Sequence, residues 1–255
     1  MAQDQMKLST TKQNIYFSLG IVLILAIWII TSVVMNNPLA VPKIDSVLSS
    51  LGNILGEGKS YLIIFNTFSR IFLATCVSII VAFALALGSN FSNRFYYLIK
   101  PFMAFLRSTP IAAIIVVLLM IFGNQKTPYV ITAFMIIPVL YEGIFISFQK
   151  IDKNILEEVK MQTNFNFFVF KNIYLPISMP YILSAALTAI GLGIKVMVMA
   201  EFIANTPDTI GYQIVFEKNA LEYSNVYGWI IILLVFVFTI ELIIKKVQNK
   251  VNSIS

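Results

Sequence analysis

Five ionisable side chains sit inside long apolar stretches of this sequence: Arg70, Arg107, Glu142, Lys195 and Glu241. A charge at membrane depth is costly and usually faces a bundle interior or a wet cavity, so each is a candidate for a transport path. Arg107 and Glu241 fall near expected cytoplasmic ends, where a long side chain can snorkel to the interface. Glu142 lies roughly 9 Å of helical rise from the inner end of its segment. It reads either as half of a structural ion pair with Arg107 or Lys195, or as a lining residue of the path. In the second reading it selects a cationic or hydrogen-bonding substrate, or gates with a proton. Covalent chemistry has little to work with. There is no histidine, Cys76 is the sole cysteine, and no nucleophile elbow occurs. Disulfide frameworks and zinc or haem sites are thereby excluded. Gly56-Glu57-Gly58-Lys59-Ser60 ends like a phosphate-binding loop, but Asn53 stands where the motif needs its first glycine, and no strand is expected before it. The chain is therefore expected to carry no ATP site, no metal and no enzymatic activity.

The elements that must position these residues are membrane helices. Of 255 residues, 58% are hydrophobic and 12% charged, about half the charge of an ordinary soluble domain. Lipid must be the solvent for much of such a chain. About 20 mostly apolar residues cross the hydrocarbon layer as a helix, and six stretches qualify: 15–35, 61–87, 102–122, 129–148, 177–203 and 226–244. Pro110 interrupts the third and Pro138 sits within the fourth. The first has no small-residue cleavage pattern after it and reads as a retained helix rather than a signal peptide. The net charge of +6 comes from residues interleaved with apolar runs, which suits cytoplasmic flanks rather than nucleic acid. Placing the N-terminus inside puts Lys7, Lys12, Arg94, Lys100, Lys150, Lys153, Lys160, Lys171, Lys245, Lys246 and Lys250 in the cytoplasm. Only Lys43, Lys59, Lys126 and Lys218 then fall outside. The bias predicts that both termini are cytoplasmic.

Two further patterns set expectations. Ile44, Val47, Leu48, Leu51, Ile54 and Leu55 recur at helical spacing and predict a short amphipathic helix on the outer interface. Ala74, Ser78, Ala82 and Ala86 form a ladder of small side chains, as do Ala185, Ala189 and Gly193. Such ladders let helix backbones approach closely in lipid, within one bundle or across a dimer seam.

The longest cytoplasmic loop, 149–176, joins a charged helix to a short aromatic segment. Phe165, Phe167, Phe168 and Phe170 stand between polar residues there. They form either a plug for a partner's cleft or a cap packed back onto the protein's own inner ends.

Counting through this loop brings out a resemblance. Glu157, Glu158 and Val159, three residues, Thr163, nine residues, then Ile173-Tyr174-Leu175-Pro176 keep the spacing of the "EAA" loop of ABC importer permeases. Glu157 falls on the family glutamate, Glu158 and Val159 on its two alanines, and Thr163 on its glycine. Threonine is less free than glycine to take a left-handed turn. Phe105-Leu106-Arg107-Ser108-Thr109-Pro110 resembles the Leu-Arg-x-x-Pro turn of the nitrate/sulfonate/taurine-type permeases. Ala200-Glu201 and Gly211-Tyr212 match that subfamily as well, and the likeness runs from about residue 42 to 246.

The resemblance implies an all-α type I importer permease: one transmembrane domain over residues 1–255, with a core near 60–246. It implies a multi-pass protein of a bacterial inner membrane, assembled as two permease copies with two ATPase subunits that hold ATP and magnesium. An extracellular binding protein would deliver a small-molecule substrate. It assigns ATPase coupling to Glu157, Glu158, Thr163, Asn164, Phe165, Phe167, Phe168, Phe170, Leu175 and Pro176. Glu142, Lys195, Arg107 and Glu201 are candidates for the translocation path. The competing class is an ion-coupled secondary transporter or channel using Glu142 and Lys195, which would need no ATPase and would leave the aromatic loop without a purpose.

Overall fold

The computed structural model describes residues 10–162 and 166–252, and among them all regular structure is helical. Among the described residues, five helices are long and apolar enough to cross a membrane: Ile15–Met35, Gly58–Phe91, Ile111–Gln149, Phe167–Ala204 and Tyr223–Ile243. The first belongs to α1 (Thr10–Met35) and stands almost wholly outside the bundle. It is held through Trp28, whose Nε1 donates to the Pro42 carbonyl at 3.1 Å and whose ring lies 5.4 Å from that of Tyr227.

The expected amphipathic segment is α2 (Ile44–Gly56), with Val47, Ser50 and Ile54 buried. It packs mainly against the last helix, α10 (Tyr223–Asn252), where Ile54 joins Ile63, Ile210 and Trp229 in one cluster. The glycine-lysine-serine run joins α2 to α3 (Gly58–Phe91), so its setting is helix–helix and not the strand–loop–helix a phosphate loop requires. Every rung of the α3 ladder, Ala74, Ser78, Ala82 and Ala86, is buried within this chain. Gly143 meets Ala185 where α5 (Ile111–Gln149) packs on α8 (Leu175–Ala204), and a Cβ on Gly193 would come within 2.5 Å of Ile136 Cδ1. Small residues here bring α3, α5 and α8 together inside one bundle.

The expected third span, 102–122, is not one helix. It covers the end of α4 (Asn93–Ser108), a break at Thr109 and Pro110, and the start of α5. Pro110 has no amide proton to continue a helix and disfavours helical backbone at Thr109. Helix α5 is itself interrupted at Gly123, whose φ of 70° and ψ of 176° are open in practice only to glycine. The two legs fold against each other, since Ile115 and Leu118 share a buried cluster with Ile131 and Met135. In a straight helix those pairs would lie roughly 25 Å apart.

Nothing lies within 4 Å of a Cβ built on Gly123, so substitution there acts on the backbone alone. We expect Gly123→Ala to cost about 1–3 kcal/mol, read as a lowered melting temperature in detergent. Gly20→Ala on α1, equally unhindered, serves as the control. Equal melting temperatures for the two variants would show that the break does not depend on glycine.

Candidate functional site

At the end of the second leg of α5 the chain turns through Lys150 into α6 (Lys153–Gln162), where Asp152 Oδ1 accepts from the Asn154 amide at 2.9 Å. Glu157 and Glu158 are exposed on α6. Thr163, Asn164 and Phe165 lie outside the described residues. The chain resumes at Asn166, whose Oδ1 accepts from the Val169 amide at 2.9 Å and caps the short helix α7 (Phe167–Val169). A π-helical turn, Phe170–Tyr174, then leads into α8.

This local geometry divides the aromatic cluster. Phe167 and Phe168 are 76% and 72% exposed. Val169 is buried, and the Phe170 ring lies 6.2 Å from Phe83 and 6.1 Å from Phe148. One side of the segment is thus anchored to the C-terminal ends of α3 and α5, while two phenyl rings project from the other. Leu175 is half-buried and Pro176 exposed at the base of α8.

The second feature is a cleft of about 660 Å³ between α4 and the second leg of α5, lined by residues that include Lys100, Arg107, Ser108, Glu142 and Gln149. Arg107 Nη2 pairs with Glu142 Oε2 at 2.5 Å, and both side chains are close to half exposed. The same nitrogen donates to the Pro138 carbonyl at 3.2 Å. Of the two partners expected for Glu142, the fold supplies Arg107. Lys195 lines a separate groove of about 500 Å³ together with Ser184, Thr188 and Glu241.

Glu201 is placed differently again. It is fully buried where α8 meets α3 and α9 (Ile210–Asn219). Its Oε2 accepts from Thr67 Oγ1 at 3.0 Å and from the Gly211 amide at 3.4 Å. Thr67 Oγ1 in turn accepts from the Ile210 amide at 2.9 Å. Thr209 caps α9, accepting from the Tyr212 amide, and Thr206 Oγ1 reaches the Asn124 carbonyl at 2.8 Å beside the Gly123 break. Glu201 therefore ties α8, α3 and α9 together, Thr206 secures the α5 turn to them, and Glu201 lines neither of the two grooves above. The contributions of Thr67, Thr206 and Thr209 were missed from the sequence, because isolated threonines carry no spacing signal.

A family model described as the binding-protein-dependent transport system inner membrane component matches residues 74–252. The chain belongs to this family. No curated protein matches it. Among solved structures this permease is similar to a chain of an amino acid ABC transporter crystallised with histidines, at 17% identity and a TM-score of 0.59, over 73% of this chain and 89% of that one. It is similar also to a chain of the MetNI methionine ABC transporter in an inward-facing conformation, at 14% identity and a TM-score of 0.59, over 71% and 93%. At such identities the likeness shows the fold, that of a type I ABC permease. The family span takes in the α4–α5 cleft, the 149–176 loop and the Glu201 network.

Proposed function

We propose that this chain is the membrane subunit of an ATP-binding-cassette importer, forming the path for a small molecule brought by an extracellular binding protein. The observation that carries this reading is the pair of exposed rings, Phe167 and Phe168, on a capped turn whose other face is anchored in the bundle. Two apolar rings held out into water by a rigid base suit a partner's groove. The partner is a separate ATPase carrying ATP and magnesium, and its closure moves the turn as a lever on α5 and α8. The exposed Glu157 and Glu158 would meet basic residues beside that groove.

The same reading gives six crossings, with α4 and the first leg of α5 rising together and the second leg descending. Both termini lie in the cytoplasm of a bacterial cell, and a second copy of this chain completes the pore. The Leu106-Arg107 to Pro110 turn favours the nitrate/sulfonate/taurine-type branch of the family. Arg107 and Glu142 line the path, and Lys195 is the further candidate on α8.

The test is reconstitution in liposomes with the ATPase and binding protein. Uptake should require ATP on the ATPase side, and the permease purified alone should hydrolyse none. Uptake by the permease alone driven by a sodium or proton gradient would replace this reading with the secondary-transporter one.

A further inference from the structure

A cleft holding one cation and one anion that face each other suits a ligand carrying both charges. We propose that the α4–α5 cleft admits small zwitterions, with Arg107 taking the acidic end and Glu142 the ammonium end. The inference rests on the importer reading and names the substrate class for it.

The ion pair is not sealed inside the bundle, because its side chains are 47% and 50% exposed on the wall of the cleft. Arg107 makes both of its contacts through Nη2, and Glu142 answers with Oε2. Nη1, Nε and Oε1 are left for a ligand, in a residue type that presents five donors and one that accepts on two oxygens. Beside the pair stands an apolar wall in which Phe145 stacks on Tyr96 at 4.9 Å and on Tyr141 at 5.8 Å. The Tyr141 hydroxyl is already engaged with Ser89 Oγ at 2.9 Å.

Charge balance decides the class. A simple anion that drew Arg107 away would leave Glu142 without its counter-charge in a partly desolvated place, and a simple cation would strand Arg107. A zwitterion replaces both partners at once and strands neither. Lys100 does not offer a second anion contact at the pair. It lies about 10 Å of helical rise from Arg107, with its Nζ 5.7 Å from the centre of the Tyr96 ring.

Ser108 lines the cleft, so its replacement by cysteine provides the readout. The complex is prepared in membranes with its ATPase, carrying Cys76→Ser and Ser108→Cys, and the rate of maleimide labelling is measured. The probes are β-alanine, propionate and ethylammonium at equal concentration. β-Alanine should slow labelling by about threefold or more at a concentration above its dissociation constant, and the other two should not. In Glu142→Gln protection should pass to propionate, and in Arg107→Gln to ethylammonium. A purely structural pair would not produce that exchange of preference.

Equal protection by all three probes, protection by none, or a preference unmoved in Glu142→Gln would overturn the proposal. Where Ser108→Cys prevents assembly, Gln149→Cys at the other end of the cleft gives the same readout. Labelling consumes no ATP. The zwitterion proposal can therefore fail while ATP-driven uptake persists, and the importer reading can fail while protection is seen.

Discussion

Replacing Phe167 and Phe168 together by alanine should release the ATPase from the complex and abolish uptake while the permease stays folded. Both rings are mostly exposed, so their loss takes little from the packing of this chain. In a partner's groove each ring would contribute about 1.5–3 kcal/mol of apolar burial. At 1.4 kcal/mol per factor of ten, losing two weakens the association by about two to four orders of magnitude. Size-exclusion of the solubilised complex reads the loss directly. Phe170→Ala should behave in the opposite way, lowering the melting temperature of the permease, because that ring packs against Phe83 and Phe148. Glu157→Ala should have a small effect, since an exposed ion pair contributes only about 0–1 kcal/mol. A double variant that still co-purifies with the ATPase in full stoichiometry and transports normally would remove the lever from the loop.

The division of that aromatic cluster marks how far the sequence could be read. Spacing placed the loop between a charged helix and a membrane helix, and left open whether its phenylalanines faced a partner or the protein. Alternation cannot decide this, because Phe167, Phe168 and Phe170 sit on a capped turn that runs into a π-helical one. Each ring's direction depends on which helix ends lie behind it. The small-residue ladder on α3 was legible as a close-packing face, and its burial within this chain settles which contact Ala74 to Ala86 make. A reversal between residues 122 and 129 was also legible, from the gap between two apolar runs, and Gly123 is where the backbone breaks. The limits of α4 were not. Its apolar end, 102–108, reads continuously with the helix that follows, and only the Thr109–Pro110 pair separates them. The partner of Glu142 needed three dimensions, since the sequence offers both Arg107 and Lys195 and the packing of α4 on α5 selects Arg107.

The second large effect is expected at Gly211, the second residue of α9. Its Cα comes so close to α8 that an added Cβ would stand 2.5 Å from Glu201 Cβ, 2.7 Å from the Phe202 amide nitrogen and 2.8 Å from the Val198 carbonyl oxygen. Two of those atoms are backbone of a long helix and cannot swing aside as a side-chain tip does. Gly211→Ala must therefore push α9 outward, at the about 1–3 kcal/mol typical of overpacking. The displacement also draws the Gly211 amide away from Glu201 Oε2 and strains the bond between the Ile210 amide and Thr67 Oγ1. A buried polar group that loses its partner costs about 1–3 kcal/mol more. The variant should express poorly, melt early and fail in uptake, although Gly211 touches neither the cleft nor the 149–176 loop. Thr67→Val removes a donor to the same carboxylate and should lower the melting temperature in the same direction. Because the two changes act on one network, the double variant should lose less stability than the two single losses added together. Strict additivity, or a Gly211→Ala protein with wild-type stability and uptake, would mean that Glu201 does not bind α9 to the bundle.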